Sequence, residues 1–230
     1  MSGQRLFLWD LPTRLFHWAL VLCVTGAVVT VQIGGNFMVW HGRLGLAIVG
    51  LISFRLVWGV AGSTYARFSQ FFPTPAKLTA YLKGGWHGHG HNPLGAFSVF
   101  GLLALIAFQV GSGLFANDDI AFHGPLQSLI GKDFSDTLTG WHRQSSNLLI
   151  ALVVLHLGAI VFYTRVKKEN LVKPMITGWK DGAQGESARG GGWLALAVAL
   201  VVAAASVYGA SGAWLPAPPP APKGVETPNF

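Results

Sequence analysis

Four of the eight histidines in this 230-residue chain lie inside long apolar stretches: His17, His41, His142 and His156. An ionisable side chain in such a setting is costly to bury and is a functional candidate by default. His156 is the clearest, enclosed by the apolar run from Leu148 to Val161. His17 and His41 lie nearer the ends of their runs, where an imidazole wetted by lipid headgroups is the competing reading. His142 and His156 stand 14 residues apart. On one helix that is a rise of about 21 Å and a net rotation of about −40°, so they share a face and lie near opposite sides of an apolar layer. Cations keep them company. Arg43 and Arg143 each lie one or two residues from a histidine, and Arg55 follows His41 by 14 residues, returning to the same helix face. Cys23 is the single cysteine, which excludes an internal disulfide framework and any cysteine-based zinc or iron–sulfur site.

The elements that must position these side chains follow from composition. Half of the chain is hydrophobic (51%), only 11% is charged, and the mean hydropathy is +0.47. Soluble domains carry about 25% charged residues, so a soluble globular enzyme is excluded, as is a disordered chain. Five stretches reach the roughly 20 apolar residues that a spanning helix needs. They run from Leu15 to Gly34, Trp40 to Gly62, Pro93 to Ala116, Leu138 to Tyr163 and Trp193 to Ala213, and the first, third and fifth contain no charge. The net charge of +7 is spread between the apolar runs rather than gathered on one face, a pattern of orientation charges and not of a nucleic-acid footprint. Eleven Lys and Arg fall on one side of the spans, against Lys132 and Lys223 on the other. That bias predicts a multi-pass protein of a bacterial inner membrane, N-terminus cytoplasmic and C-terminus periplasmic. The first run lacks a small-residue cleavage site, so no cleavable signal peptide is expected. The loop between the third and fourth spans is acidic, with Asp118, Asp119, Asp133 and Asp136.

Topology then sets depth. His17 enters from the cytoplasmic side and lies level with His156, near the inner end of the fourth span. His41 opens the second span from outside and lies level with His142. Two neutral imidazoles facing each other across a bundle suit the two axial positions of a haem iron. Isolated histidine pairs make poor zinc sites, which use three or four protein ligands. On this reading Arg43 and Arg143 serve the propionates of an outer haem, and Arg55 those of an inner one.

The opening segment Trp9-Asp10-Leu11-Pro12-Thr13-Arg14-Leu15-Phe16-His17-Trp18 resembles the start of the prokaryotic cytochrome b561 family, which includes the b-type cytochrome subunits of nickel–iron hydrogenases. Further resembling segments are Trp40-His41-Gly42-Arg43-Leu44-Gly45, Phe54-Arg55-Leu56-Val57-Trp58-Gly59, Gly90-His91-Asn92-Pro93, Trp141-His142, His156 and Lys173-Pro174-Met175-Ile176-Thr177-Gly178. The resemblance implies an all-α integral membrane protein: a four-helix transmembrane bundle holding two bis-histidine b haems. It also implies electron transfer between membrane quinone and a further redox partner. His17, His41, His142 and His156 match its ligand pattern, and Arg14 of the opening segment joins the cofactor-binding candidates. The expected divisions are a dihaem bundle over residues 1-190, an accessory fifth transmembrane helix over 191-213 and a Pro-rich external tail over 214-230.

The favoured reading is a cytochrome linking the quinone pool to a periplasmic c-type cytochrome or other redox subunit, docked at the acidic loop and the tail. A superoxide:quinone oxidoreductase is the alternative within redox chemistry. A histidine-using cation carrier or structural membrane protein is the alternative of another class, and it calls for an acidic residue in the spans, which is absent. The tract His87-Gly88-His89-Gly90-His91 resembles a short metal-binding run, but its glycines and loop position favour a solvated segment. Gln109 is a polar residue in the third span with no assigned partner, and His123 is expected to be exposed.

Overall fold

The computed structural model describes residues 5–120, 122–183 and 185–216, and it holds eight α-helices in that span. Five are long and apolar enough to cross a membrane: α1 (Leu11–Ile33), α2 (Met38–Ala61), α5 (Pro93–Gly113), α6 (Lys132–Arg165) and α8 (Gly192–Ala210). Three are short: α3 (Phe68–Phe71), α4 (Pro75–Leu82) and α7 (Val172–Thr177). Local chemistry fixes the starts. The Asp10 side chain accepts from the Thr13 N–H at 2.7 Å, with proline in the first turn, so α1 begins four residues before its apolar run. Asn92 caps α5 in the same way, accepting from Gly95 N–H at 2.7 Å. Between α1 and α2 the chain reverses through Gly34 and Gly35, at φ +71° and +54°, a backbone that side chains with a Cβ rarely adopt. The polar first turns of α6 project beyond the apolar layer, which explains why this helix exceeds its predicted span.

Close helix contacts join α1 to α2, α2 to α8, and α5 to α6, with a thinner contact between α2 and α5. The bundle therefore has two layers, α1–α2–α8 and α5–α6, meeting along a seam. Two core clusters fill it. Phe16, Phe54, Trp58, Ala66 and Ala199 pack together, and Ile48, Ile52, Ile106 and Leu149 form the second. Outward faces are apolar too: Leu22, Val60, Val154, Leu155 and Val201 are exposed, as lipid-facing positions are. The chain is a multi-pass membrane protein. A short strand β1 (Arg5–Phe7) pairs antiparallel with β2 (Trp179–Asp181), Arg5 opposite Asp181, tying the segment before α1 to the segment after α7. The loops on that side carry most of the basic residues and form the basic end. The α5–α6 loop lies at the acidic end, where Asn117 bonds Ser135 Oγ and Asp136 and fixes the loop to α6. That hydrogen bond, with Lys132 second, holds the Asp136 carboxyl below the ordinary carboxylate range.

Helix α8 is more than an appendage, because Ala199 is fully enclosed against α2. Ala199→Phe should therefore overpack this contact and cost about 1–3 kcal/mol. Thermal unfolding in detergent should show the loss, while Val201→Phe on the lipid-facing side leaves the transition in place.

Candidate functional site

The seam brings His41 of α2 and His142 of α6 together at the acidic end. Their ring centroids are 6.1 Å apart and their planes lie at 85°. His41 Nδ1 lies 2.9 Å from the Ala27 carbonyl, and His142 Nδ1 lies 2.9 Å from the Gln109 carbonyl. A carbonyl only accepts, so each ring carries its proton on Nδ1 and a lone pair on Nε2. Two such rings can bind one metal atom from opposite sides: metal–imidazole bonds of about 2 Å place the ring centres about 6 Å apart. Both rings line a cavity of about 150 Å³ together with Gly42, Gly45, Phe122 and Arg143. A Cβ at Gly45 would meet nothing within 4 Å, so this wall is open beside His41. The separation and tautomers of the two rings fit bis-histidine ligation of a haem iron.

Gln109 emerges as a partner that hydropathy alone did not assign. Its Nε2 donates to the His142 carbonyl at 3.0 Å and lies 3.2 Å from His142 Nε2, while its Oε1 accepts from Ser145 Oγ at 2.5 Å. Ser112 adds a contact at 3.3 Å to His142 Nδ1. A Cβ at Gly113 would fall 2.9 Å from His142 Cε1, so glycine there admits the ring. A lone glutamine in an apolar run was the signal available in the sequence; its spacing to His142 across a loop was not.

At the basic end, His17 of α1 and His156 of α6 are electrostatic neighbours, again from opposite layers. Among the described residues, eight buried side-chain polar atoms have no hydrogen-bond partner, and all lie in the basic half. They include His17 Nδ1, His91 Nδ1, Arg55 Nη1 and Arg67 Nε. Each unsatisfied group costs about 1–3 kcal/mol, and a bound anionic group carrying acceptor oxygens relieves that cost. The residues present thus fit a second haem with propionates at this end. Arg55 is buried, its guanidinium 4.5 Å from the Phe68 ring centre and in the field of Asp10. Asp10 also accepts from Trp58 Nε1 at 3.0 Å. His91, just before α5, has Arg55, His156 and His17 as electrostatic neighbours. Burial first, then those charges, push its pKa down to about 3.

The remaining arginines divide. Arg143 lines the cavity at the acidic end, whereas Arg43 is exposed and lays its guanidinium 4.9 Å over the Trp40 ring, away from the cavity lining. Arg14 donates from Nη1 to the Ile176 carbonyl at 2.5 Å, and Trp18 Nε1 donates to the Met175 carbonyl at 3.1 Å, so this part of α1 secures α7. The histidine tract does not converge on a metal: His91 stacks between Trp9 and Phe71, and His89 meets Tyr65 edge-on. Among the described residues no group of three metal-ligating side chains comes together. His123 is exposed, as expected.

Residues 8–178 match the family described as prokaryotic cytochrome b561. A probable Ni/Fe-hydrogenase 1 B-type cytochrome subunit of Escherichia coli K12 is 21% identical, over 76% of this chain and 90% of its own length. Probable Ni/Fe-hydrogenase B-type cytochrome subunits of Cupriavidus necator and Azotobacter vinelandii are 23% and 25% identical, over 78% and 76% of this chain and 88% of their own lengths. No solved structure matches. The α8 helix lies beyond the matched residues.

Gln109 gives this site a test of its own. Gln109→Leu keeps the carbonyl that His142 uses but removes the amide bonds to His142 and Ser145. Those two bonds tie α5 to α6 beside the ring, and each is worth about 0.5–1.5 kcal/mol. Thermal unfolding of the purified protein in detergent should show a loss of about 1–3 kcal/mol against the unaltered chain.

Proposed function

The chain belongs to the prokaryotic cytochrome b561 family, and on that premise we propose that it is a dihaem b-type membrane cytochrome. It carries electrons across the bilayer between the quinone pool and an external redox partner. The observation that carries this reading is the His41–His142 pair, whose two Nδ1 protons are committed to backbone carbonyls. When bound, haem iron supplies one-electron exchange between its ferric and ferrous states.

The chain's own residues supply the rest. His41 and His142 hold one haem at the acidic end, and His17 and His156 hold the other at the basic end. The Ala27 and Gln109 carbonyls fix the ring tautomers of His41 and His142 at the acidic end. Arg143 faces the first site and Arg55 the second, as counter-charges for propionates; Arg14 ties α1 to α7 near the second, and Arg43 contributes charge at the acidic end from its seat on Trp40. Placing one pair in each half of α6 sets two redox centres along a path through the seam. The apolar layers exclude water from it.

Relatives named as hydrogenase cytochrome subunits support a partner that is a redox subunit of a larger complex. The partner's docking face in this reading is the acidic end, whose carboxylates steer a basic carrier in a salt-dependent way. The charge bias supports a bacterial inner membrane, with the basic end cytoplasmic and the acidic end periplasmic. Residues 1-190 form the haem bundle and 191-213 the fifth helix, followed by the tail 214-230, of which 217–230 lie outside the described residues.

Reduced-minus-oxidised spectra of the purified protein should show two low-spin b-type components. His142→Ala and His41→Ala should each remove the same one, leaving that held by His17 and His156. If His142→Ala and His17→Ala deplete the same component, the pairing is overturned. Arg55→Met should lower the midpoint potential of the basic-end haem by on the order of tens of millivolts, since a nearby buried cation favours the more electron-rich form. Redox titration showing only the other haem displaced would sink the assignment of depth.

A further inference from the structure

Helix α8 begins beside the end of α2, on the side of α2 away from the seam. The segment 186–190 that leads into it is stitched down. The Thr64 N–H and hydroxyl donate to the Arg189 carbonyl at 2.8 and 3.1 Å, and the Tyr65 hydroxyl donates to the Glu186 carbonyl at 2.6 Å. Ser63 bridges Gly190 as an isolated antiparallel pair. Two buried polar atoms at this junction have no hydrogen-bond partner: Ser63 Oγ, in a residue only 3% exposed, and Arg67 Nε. Glycine backbone lies against both residues. A Cβ on Gly190 would fall 3.2 Å from Arg67 Nη2, and one on Gly191 would fall 3.2 Å from Ser63 N. Phe68, the next residue, lies against Arg55 instead, so the Arg67 guanidinium is turned from the histidine pairs toward α8. Among the described residues no carboxylate pairs with Arg67 or with the exposed Arg189. Gly191 caps α8 without a side-chain acceptor, so the N–H groups of its first turn are open as well.

Everything that converges here donates. A guanidinium, a buried hydroxyl and open helix N–H groups lack a common acceptor, and the helix dipole adds positive charge to that of the arginines. An anion with several oxygens at tetrahedral spacing meets all three kinds of donor at once, as phosphate does at other helix N-termini. Depth selects its source. Trp193 and Leu194, 80% and 62% exposed, open α8 on its outward face, where an indole marks the level of lipid headgroups. We propose that the α2–α8 junction binds a phosphate group, supplied by the headgroup of an anionic membrane phospholipid and held by the Arg67 guanidinium, Ser63 Oγ and the first turn of α8. Such a lipid staples the fifth helix, which lies beyond the family match, to the bundle. The site is independent of the haem reading and stands or falls without it.

The test uses the full-length, haem-loaded protein, stripped of lipid in a neutral detergent. It is titrated separately with phosphatidylglycerol, phosphatidylcholine and inorganic phosphate, and bound species are counted by native mass spectrometry. Phosphatidylglycerol should bind about tenfold more tightly than phosphatidylcholine. Arg67→Gln should weaken that binding about tenfold and Arg67→Lys by less, because a lysine keeps the charge but not the fork. Ser63→Ala should weaken it too, while the b-type spectra of all three variants report an intact bundle. Inorganic phosphate that binds as tightly and displaces the lipid upholds the site and makes its occupant a soluble phosphate. An Arg67→Gln chain that holds phosphatidylglycerol as the unaltered chain does overturns the proposal. So does one that holds the lipid and shifts the midpoint potential of the basic-end haem, since the guanidinium then serves the haem.

Discussion

An imidazole in an apolar layer must place its N–H somewhere, and at the acidic end both rings place it on a helix carbonyl of the neighbouring helix. That constraint reaches far. For His41 to meet the Ala27 carbonyl, α1 and α2 must approach closely, and Gly26 next door permits it: a Cβ there would fall 2.9 Å from Leu44 Cδ1. For His142 to meet the Gln109 carbonyl, α5 and α6 must approach as closely, and Gly113 permits that. The tight pairs α1–α2 and α5–α6 are thus the same fact as the ring tautomers. What is left between the pairs is a looser seam, across which the His41 and His142 rings meet while the Gln109 amide lies beside His142 Nε2.

Helix α8 completes this arrangement from outside. It packs against the other side of α2, so α2 is flanked by α1 and α8 and is the most enclosed of the spanning helices. Arg55 rides on that enclosed helix. A guanidinium held among aromatic rings, 3% exposed, has little water to screen it. Its charge therefore acts on whatever occupies the basic end with more force than Arg43, which rests on Trp40 at the exposed rim.

The spans and the four histidines were legible because both depend on periodicity and hydropathy, which a sequence states directly. His142 and His156 share a face by arithmetic alone. The partners of those histidines were not legible. Ala27 contributes only a carbonyl, which every residue has, and Gln109 meets His142 across a loop whose geometry hydropathy does not encode. Arg43 shows a related limit: its position beside His41 was plain, but cation–π attraction to a tryptophan three residues earlier turns it outward. The short helices α3, α4 and α7 and the β1–β2 pair escaped notice because elements of three to eight residues leave too few periods to detect. Helix α7 and the β1–β2 pair are also what fastens the basic end.

The β1–β2 pair has a bearing on how the molecule is made. Phe7 takes part in β1, and its N–H donates to the hydroxyl of Ser187, 180 residues further along the chain. A polypeptide emerging from its N-terminus first at about 5–20 residues per second leaves β1 unpaired for roughly 10–35 s. Through that interval α1, α2, α5 and α6 have all entered the bilayer, while the leading segment waits at its surface. Closure of the two strands is thus a late event that only a chain with four helices already inserted can complete. The basic end stays open until then, leaving the His17 and His156 side chains accessible while the chain is still being made.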